Sequence, residues 1–357
     1  MADNWRTLSA LAAPAECAAV VKADAYGLGI QRVGPALWRA GARTFFVAHF
    51  REAVTLRALL PDAVIYVLNG LLPDLGAEYA ALRLRPVLGS TPEISEWSAL
   101  CRDSGAGHPA AIHVDTGMHR LGLSLEEAVQ LSGTWRMLGF PPSLIMTHLA
   151  CADMPGHVLT ARQRLVFADV ARRFPGIPAS LANSAGTLLG RDFRFDLVRP
   201  GIFLYGGVAI AGVPPLRPVV RLEVKVIQVS TAPAGETVGY GAAQRLKRPS
   251  RLATVSIGYA DGLFRAAGSS DAAKGVEAVV AGRRCHLVGR VSMDLATLDI
   301  TDLPEHAVER GDTAVFLGDG ISVDDVAARA GTIGYEVLTS LGRRYARRYV
   351  GDGYVGD

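Results

Sequence analysis

The sequence has little cysteine and no long apolar run, and these two shortages exclude whole classes of protein. Its 357 residues contain four cysteines, Cys17, Cys101, Cys151 and Cys285, and no pair of them has the C-x-x-C spacing of a zinc or redox motif. No stretch approaches the roughly 18 consecutive apolar residues that a membrane span needs. We therefore expect a protein of the reducing cytoplasm, with no disulfide framework, no metal site and no membrane partner.

An excess of charge of one sign is also missing. The 37 basic and 34 acidic residues leave a formal net charge of +3, and no basic block alternates with aromatic residues as nucleic-acid-binding segments do. Nucleic acid is therefore not an expected partner. The Ala-rich start resembles a signal peptide, but Asp3 and Pro14 interrupt its basic and apolar parts, so we expect this segment to belong to the folded protein.

Up to about residue 205, short β-branched runs alternate with longer amphipathic segments, which is the pattern of repeated βα units. Helices are predicted at "FREAVTLRALL", "TPEISEWSALCRDSG" and "ARQRLVFADVARRF". Eight strands are predicted, at residues 18–22, 44–49, 63–69, 85–89, 111–115, 143–148, 179–183 and 195–200. Because eight parallel strands with intervening helices close on themselves, we predict a (β/α)8 barrel over residues 1–205.

Residues 206–357 have a different pattern of apolar and polar residues. Segments such as "RLATVSIGYADG" and "GVEAVVAGRRCHLVGRVSMDLATLDIT" alternate apolar and polar residues with a period of two and contain glycine-bearing turns. They predict an antiparallel β domain, followed by helices at "VDDVAARAG" and "YEVLTSLGRRYARR". Half of the residues are hydrophobic (50%), so the chain can bury the cores of two such domains.

Polar or ionisable residues stand at the ends of six predicted strands, where the chemistry of such barrels gathers. They are Lys22, His49, Asp115, His148, Asn183 and Arg199. Lys22 ends an apolar run in "VVKADAYGLG". A lysine there is either a solvated strand end or an amine whose pKa is lowered by burial, which could then attack a carbonyl carbon.

The segments after the last two strands predict a phosphate site. "LANSAG" places Asn183 and Ser184 where the seventh strand meets a helix, and "RPGIFLYG" supplies Gly201 and Ile202 after the eighth strand. Loops at these positions form the usual phosphate site of such barrels. Together with Lys22 and a strand-end arginine, Arg199, that can face a ring nitrogen, they match the requirements of pyridoxal phosphate.

From about residue 4 to its end the sequence resembles the alanine racemase family, whose members are pyridoxal-phosphate enzymes of fold type III. The motifs that carry the resemblance are "VVKADAYGLG", "VDTGMHRLGL", "MTHLACAD", "LANSAG", "VRPGIFLYG", "VSIGYADG", "GRVSMD" and "GTIGYEVL". The resemblance implies an amino-acid racemase that interconverts L-alanine and D-alanine with two bases and supplies D-alanine for peptidoglycan. It also implies a homodimer with shared active sites.

The resemblance assigns roles to individual residues. Lys22 matches the base that also carries the cofactor, and Tyr259 matches the opposite base, which in the family comes from the partner subunit. Arg120 and the backbone of Met293 match the contacts of the substrate carboxylate. The remaining contacts predicted for pyridoxal 5′-phosphate are Arg199 at the ring nitrogen, His148 bracing this arginine, and Tyr26, Asn183, Ser184, Gly201, Ile202 and Tyr335.

Other functions stay open at this level. A broad-specificity racemase or a serine racemase could use the same scaffold, since one methylene or hydroxyl changes the affinity of a pocket by only about 1–3 kcal/mol. A regulatory protein that binds the cofactor without catalysis would need the barrel but not Tyr259. A decarboxylase on this fold is disfavoured, because the sequence lacks the cysteine-bearing loop that such enzymes use.

The chain departs from the family pattern at several positions. Many members carry a carbamylated lysine where this chain has His113, so we expect Arg120 to be held by a bound anion such as chloride, or by Asp115 and water; otherwise His113 only fills the core. Ser292 and His119 replace a common cysteine and a common glycine. Members usually have one more β-domain strand before the stretch matching "NWRTLSALAAP", so we expect an unpaired sheet edge.

Overall fold

The structure, a computed structural model, describes residues 1–351 and 354–356. The chain divides into two compact units, Met1–Arg217 and Pro218–Asp357. The first unit extends beyond the predicted boundary at residue 205 because the segment that follows stays attached to it. Asn4 Nδ2 donates to the carbonyl oxygen of Arg217 at 2.8 Å. In the described part of the chain, no helix is long and apolar enough to cross a membrane.

The first unit is built on short parallel strands. Their bounds are β1 Glu16–Cys17, β2 Ala19–Val20, β3 Thr44–Val47, β4 Val64–Val67, β5 Arg85–Leu88, β6 Ala110–His113, β7 Pro142–Met146, β8 Ala179–Ser180 and β9 Leu197–Val198. Strands β2 to β8 form one sheet in chain order, and β9 pairs with β1. The amide of Asp196 donates to Ala179 and the amide of Ala18 donates to Val198, both at 3.0 Å. These bonds join β9 to both neighbours and close the barrel, so the predicted (β/α)8 fold is confirmed.

Helix α1 precedes the first strand, and the other helices of this unit lie between the strands. Their bounds are α1 Ala2–Ala12, α2 Lys22–Tyr26, α3 Ile30–Ala40, α4 Phe50–Leu59, α5 Gly76–Ala81, α6 Thr91–Ser104, α7 Leu125–Thr134, α8 Val158–Arg172, α9 Ser184–Leu188 and α10 Arg191–Arg194. The three helices predicted from sequence correspond to α4, α6 and α8. Helix α6 begins at Thr91 because Oγ of Ser90 accepts the amide hydrogen of Glu93, which caps the first turn.

The second unit is mainly antiparallel β structure, as predicted. Its elements are β10 Leu222–Ala232, β11 Thr237–Val238, β12 Gln244–Arg245, β13 Ser250–Val255, β14 Glu277–Val280, β15 Arg283–His286, β16 Ala296–Asp299, β17 Thr313–Leu317, α11 Val323–Ala330, α12 Gly334–Ser340, β18 Tyr349–Gly351 and β19 Tyr354–Gly356. The main sheet has the order β15-β14-β17-β10-β13-β16. A bridge between Leu287 and Leu298 brings its two edges together, so the sheet is nearly closed and exposes less free edge than we expected.

The last predicted helix is shorter than expected. The sequence pattern predicts a helix up to Arg348, but α12 ends at Ser340. The amide of Gly342 instead donates to the carbonyl oxygen of Asp261 at 3.0 Å, and the side chain of Arg344 turns to the same residue. Tertiary contacts with the loop that contains Tyr259 therefore replace the helical hydrogen bonds that the sequence pattern favours.

Candidate active site

Lys22 begins the short element α2, which follows strand β2 and is a left-handed turn rather than a right-handed helix. The four residues that follow it, Ala23, Asp24, Ala25 and Tyr26, all have φ between 53° and 55°. Left-handed backbone costs roughly 1–2 kcal/mol for each residue other than glycine. A run of four such residues therefore requires contacts from outside the turn to hold it.

Hydrogen bonds and ring stacking supply these contacts. The amide of Asp24 donates to Oε1 of Glu52 at 3.1 Å, and its own Oδ1 accepts the amide hydrogen of Ile30 at 2.7 Å. The ring of Tyr26 stacks on that of Tyr205, with 4.3 Å between the ring centroids. These interactions fix the turn, and with it the backbone from which the Lys22 side chain extends.

The amine of Lys22 lies in an environment that favours its neutral form. Burial lowers its pKa from the ordinary value, the nearby positive charge of Arg120 lowers it further, and the carboxylate of Glu52 opposes both effects. A lowered pKa gives the amine a larger neutral fraction at pH 7, and only the neutral amine can attack a carbonyl carbon.

Arg199 is a buried guanidinium held by neutral acceptors. It is 3% exposed, and one terminal nitrogen donates to Oγ of Ser180. The other donates to the carbonyl oxygen of Thr147 at 2.5 Å. Burial lowers the pKa of Arg199 to about 9, so the group stays charged at neutral pH. Its Nε donates to no described residue, which leaves one N–H group for a ligand.

Two histidines accompany this arginine. Burial lowers the pKa of His113 to about 4, and the positive charge of Arg199 contributes to the shift. Burial also lowers the pKa of His148 well below its ordinary range, with smaller contributions from Arg199 and Arg120. Both imidazoles are therefore neutral at pH 7. No hydrogen bond joins His148 to Arg199 among the described residues, so its bracing role stays a prediction.

The predicted phosphate residues come together near the ends of β8 and β9. Oγ of Ser184 accepts the amide hydrogen of Gly201 at 2.8 Å. A Cβ atom on Gly201 would lie 2.1 Å from Oη of Tyr26, so the tyrosine hydroxyl rests directly against this glycine. The amides of Ser184 and Ile202 donate to no described residue. Two free N–H groups and two hydroxyls beside a glycine form a cradle suited to a small anion.

Asn183 has a structural use in this cradle. Its Oδ1 accepts the amide hydrogen of Gly186 at 2.9 Å and so caps α9. Asn183 therefore acts as a helix cap, and any contact of Asn183 with a ligand stays a prediction.

Asp115 and Arg120 are not joined by an ion pair in the described residues. Oδ1 of Asp115 accepts the amide hydrogens of Gly117 and Met118 at 2.8 and 2.9 Å, and its Oδ2 lies 3.2 Å from Nδ1 of His119. The Asp115 carboxylate therefore shapes its own loop. His119 has φ of 55°, the left-handed region that favours glycine, which is the residue common at this position in the resembled family.

In the second unit, Tyr259 and Met293 lie on adjoining loops. The amide of Tyr259 donates to the carbonyl oxygen of Ser292, and that of Ala260 donates to the carbonyl oxygen of Met293, both at 3.0 Å. The amide of Met293 donates to no described residue. Tyr259 is 43% exposed, so its phenol is accessible from solvent in the single chain.

Tyr335 lies in α12, whose end touches the Tyr259 loop. A Cβ atom on Gly262 would lie 2.1 Å from the carbonyl oxygen of Ser340, the last residue of this helix. The second unit thus places Tyr335, Tyr259 and Met293 on three connected segments.

Sequence reasoning did not find several residues that shape the site. Glu52, Tyr205 and Asp261 hold the backbone near Lys22 or Tyr259, and Ser180 and Thr147 hold Arg199. Glu52 stands three residues after the helix cap, which is the spacing of a capping box. The pattern is hard to recognise in the sequence because the cap is His49 rather than the usual serine, threonine, aspartate or asparagine.

Two family models match the chain in sequence order. The model of the alanine racemase N-terminal domain matches residues 1–209, and that of the alanine racemase C-terminal domain matches residues 219–349. An alanine racemase of Methylobacterium sp. (strain 4-46) is 57% identical over 351 residues, which cover 98% of this chain and 95% of the relative. A biosynthetic alanine racemase of Agrobacterium fabrum (strain C58 / ATCC 33970) is 46% identical over 358 residues, with 98% and 91% covered.

Solved structures agree with these matches. The alanine racemase from Bartonella henselae with covalently bound pyridoxal phosphate has a TM-score of 0.91 and 41% identity, covering 98% of this chain and 96% of that one. The biosynthetic alanine racemase from Pseudomonas aeruginosa has a TM-score of 0.87 and 37% identity, covering 98% and 97%. The fold and matched domains define a two-domain racemase scaffold with a (β/α)8 barrel. The chain belongs to the alanine racemase family.

Proposed function

We propose that this protein interconverts L-alanine and D-alanine with pyridoxal 5′-phosphate bound through Lys22. The observation that carries the proposal is the setting of Lys22. Its amine has a lowered pKa and stands on a left-handed turn whose last residue, Tyr26, rests against Gly201 of the phosphate cradle. A cofactor held by both ends would fit this arrangement, with its aldehyde at the lysine and its phosphate at the cradle.

The residues present fit this cofactor. The amides of Ser184 and Ile202, which donate to no described residue, would hold the phosphate together with the hydroxyl of Tyr26 and with Gly201. Nε of Arg199 would donate to the ring nitrogen. The remaining proposed contacts are Asn183, His148 and Tyr335.

Pyridoxal phosphate, when bound, withdraws electrons from the α-carbon of an attached amino acid and makes its α-hydrogen acidic. Racemisation then requires a proton to leave one face of that carbon and another to arrive at the opposite face. We assign these transfers to Nζ of Lys22 and Oη of Tyr259. Arg199 keeps its proton at neutral pH, so it donates a hydrogen bond at the ring nitrogen rather than a proton.

The substrate carboxylate requires its own partners. We assign them to the guanidinium of Arg120 and the amide of Met293, which donates to no described residue. A charged donor and a neutral one at a carboxylate would fix the orientation of the α-carbon hydrogen.

We further propose a homodimer in the cytoplasm, in which the Tyr259 of each chain serves the Lys22 of the other. The exposed phenol of Tyr259 in the single chain is compatible with this arrangement. The product would supply D-alanine for peptidoglycan.

The test combines racemisation with hydrogen exchange in heavy water. Wild-type protein, Lys22→Ala and Tyr259→Phe are compared with each enantiomer of alanine. Because the two enantiomers have equal free energies, Tyr259→Phe must lower kcat/KM by the same factor in both directions, but it should still exchange the α-hydrogen of one enantiomer. Borohydride reduction and peptide mapping should place the cofactor on Lys22. Racemisation by Tyr259→Phe at the wild-type rate, or a cofactor attached elsewhere, contradicts the proposal.

A substrate panel separates the proposed function from its neighbours. Alanine should give the highest kcat/KM, with serine and larger amino acids lower by tenfold or more. Equal values for alanine and serine would indicate a broad-specificity racemase. Cofactor binding without exchange of any α-hydrogen would indicate a regulatory protein.

A further inference from the structure

One carboxylate connects the turn after Lys22 to the next βα unit of the barrel. Glu52 lies in the first turn of α4, and its Oε2 accepts the amide hydrogens of Ala48 at 2.9 Å and His49 at 3.1 Å. Its Oε1 accepts the amide hydrogen of Asp24 at 3.1 Å. The two oxygens of one side chain thus hold two neighbouring segments at the same end of the barrel.

The bond to Asp24 lies within the strained part of the site. Asp24 is the second of the four left-handed residues that follow Lys22. The amides of Ala25 and Gly27 instead donate to backbone carbonyl oxygens close by in the chain, those of Val21 and Ala23. The amide of Asp24 has Glu52 as its only acceptor among the described residues.

We propose that Glu52 is a positioning residue of the racemase site, whose carboxylate holds the left-handed turn and thereby places the amine of Lys22. The inference rests on the proposed function in one respect, since it takes Lys22 as the lysine that binds the cofactor. Among the described residues, the Glu52 carboxylate accepts hydrogen bonds from the amides of Asp24, Ala48 and His49, so it acts through the backbone of Asp24.

The contact geometry requires a carboxylate rather than any polar side chain of the same size. Three backbone amides donate to the Glu52 carboxylate, one to Oε1 and two to Oε2. An ionised carboxylate carries no hydrogen that would repel these donors. Glutamine has one oxygen and one NH2 group. In either orientation its NH2 group would face an amide hydrogen, so Glu52→Gln must release either Asp24 or the start of α4.

Glu52 also acts on Lys22 through its charge. The charges of Arg120 and Glu52 both shift the pKa of Lys22, and the charge of Lys22 in turn contributes to the lowered pKa of His148. Of these groups only Glu52 favours the protonated amine. Removing its charge should therefore lower the pKa of Lys22, an effect that loss of a helix cap alone would not produce.

The barrel contains a matched control. Glu93 lies at the same position of α6; its Oε1 accepts the amide hydrogen of Leu71 at 2.9 Å, and its Oε2 accepts from the amide of Gly89 and the hydroxyl of Ser90, both at 2.9 Å. It therefore also joins its own helix start to the loop of the preceding unit. That loop follows β4 and does not contain Lys22, so Glu93→Gln reproduces the structural damage away from the site.

The experiment compares full-length wild-type protein, Glu52→Gln and Glu93→Gln. In cofactor-free protein, acetic anhydride labels Lys22 and the exposed Lys274, and mass spectrometry of peptides gives the labelling of each as a function of pH. We expect the midpoint of Lys22 to move to lower pH in Glu52→Gln only, with Lys274 as internal reference. We also expect the dissociation constant of pyridoxal phosphate to rise about tenfold or more in Glu52→Gln, and less in Glu93→Gln.

Each outcome decides the inference. If both variants have the same Lys22 midpoint and the same dissociation constant, Glu52 is only a helix cap and the inference is wrong. Failure of the proposed function is a separate result. It would appear in the wild-type protein, if borohydride reduction attached the cofactor to a residue other than Lys22. The labelling midpoint of Lys22 in cofactor-free protein would still test the role of Glu52.

A second measurement applies if Glu52→Gln does not fold. Glu52→Asp keeps the charge but is one methylene shorter, so it cannot reach both segments. Amide hydrogen exchange in peptides covering residues 22–29 should become faster in this variant, whereas peptides covering residues 70–75 should be unchanged. Equal exchange of residues 22–29 in wild-type protein and Glu52→Asp overturns the inference.

Discussion

Nε of Arg344 lies 2.9 Å from Oδ1 of Asp261, a buried carboxylate two residues after Tyr259. The other oxygen of Asp261 accepts the amide hydrogen of Gly258 at 2.9 Å. The same guanidinium donates to Asp294 at 2.7 Å, next to Met293. Arg344 therefore joins the loop that carries Tyr259 to the loop that carries Met293.

Replacing Arg344 by alanine should reduce catalysis more than cofactor binding. Without the guanidinium, the buried Asp261 loses its only ion-pair partner among the described residues, and the Tyr259 loop loses its link to Asp294. Misplacing a proton-transfer group by about 1 Å can reduce the rate up to a hundredfold. We expect kcat to fall by roughly tenfold to a hundredfold while the dissociation constant of pyridoxal phosphate stays within about twofold of wild type.

Arg248→Ala is the matched control for this variant. Arg248 makes a two-bonded pair with Asp302 in the same unit, but both side chains are on the surface and remote in sequence from the Tyr259 loop. It should leave kcat unchanged. An equal loss of kcat in the two variants would mean that Arg344 acts through general stability.

Adding a methyl group at position 201 should weaken cofactor binding. The new Cβ atom of Gly201→Ala would lie 2.1 Å from Oη of Tyr26, and stacking on Tyr205 keeps the Tyr26 ring from moving aside freely. The φ of Gly201 is −119°, so the substitution does not force a left-handed backbone on alanine, and the close approach to Oη of Tyr26 is the expected cause of the effect. We expect the dissociation constant of pyridoxal phosphate, measured by fluorescence titration, to rise at least tenfold.

Gly133→Ala tests whether any added methyl group has this effect. A Cβ atom at Gly133 meets nothing within 4 Å, and the residue lies inside α7. Alanine is there favoured over glycine by about 0.5–1 kcal/mol, so Gly133→Ala should raise the melting temperature slightly and leave cofactor affinity unchanged. Unchanged affinity in Gly201→Ala would remove Tyr26 from the proposed cradle.

The strand and helix pattern of the barrel could be predicted because it depends on local sequence. Runs such as "TFFV" and "VIYV" are buried strands in the structure, and the intervening amphipathic segments are helices. The grouping of Ser184 and Gly201 also followed, since the ends of parallel strands meet at one end of a barrel. The place of Tyr26 beside them was an expectation from the family resemblance.

The backbone after Lys22 could not be predicted from local rules. Ala23, Asp24 and Ala25 are not glycine, the residue that adopts left-handed backbone freely, and contacts distant in sequence help to hold the turn, namely that of Asp24 with Glu52 and that of Tyr26 with Tyr205. The early end of α12 also depends on a contact distant in sequence, since Arg344, which the sequence pattern places in the helix, pairs with Asp261 instead. Such sites, where tertiary contacts override local preference, are commonly functional.

The lowered pKa of His113 makes the stability of the protein depend on pH. The ordinary value near 6.5 applies to the unfolded chain, and the folded value is about 4. Protons therefore bind the unfolded state more readily, so the contribution of the neutral imidazole is complete above about pH 6.5 and is lost as the pH falls towards 4. Between pH 7 and pH 5, this one histidine should reduce the free energy of unfolding by about 2 kcal/mol.

Urea unfolding of His113→Gln checks this linkage. The variant should show a smaller loss of stability between pH 7 and pH 5 than wild type, by about 2 kcal/mol. Some pH dependence should remain, since the pKa of His148 is also lowered. His306→Gln, at an exposed position, should behave as wild type. Equal pH dependence in His113→Gln and wild-type protein would show that His113 is not buried in its neutral form.

Chloride should raise catalytic efficiency through Arg120. The Asp115 carboxylate is occupied by Gly117, Met118 and His119, and the neighbouring His113 is neutral, so no described anion balances the guanidinium. At constant ionic strength, replacing gluconate by chloride should raise kcat/KM several-fold, because a bound anion would orient Arg120 towards the substrate carboxylate. His113→Glu places a carboxylate at that position and should make the activity independent of chloride. The same kcat/KM in both salts for the wild-type protein would show that Arg120 is oriented without an anion.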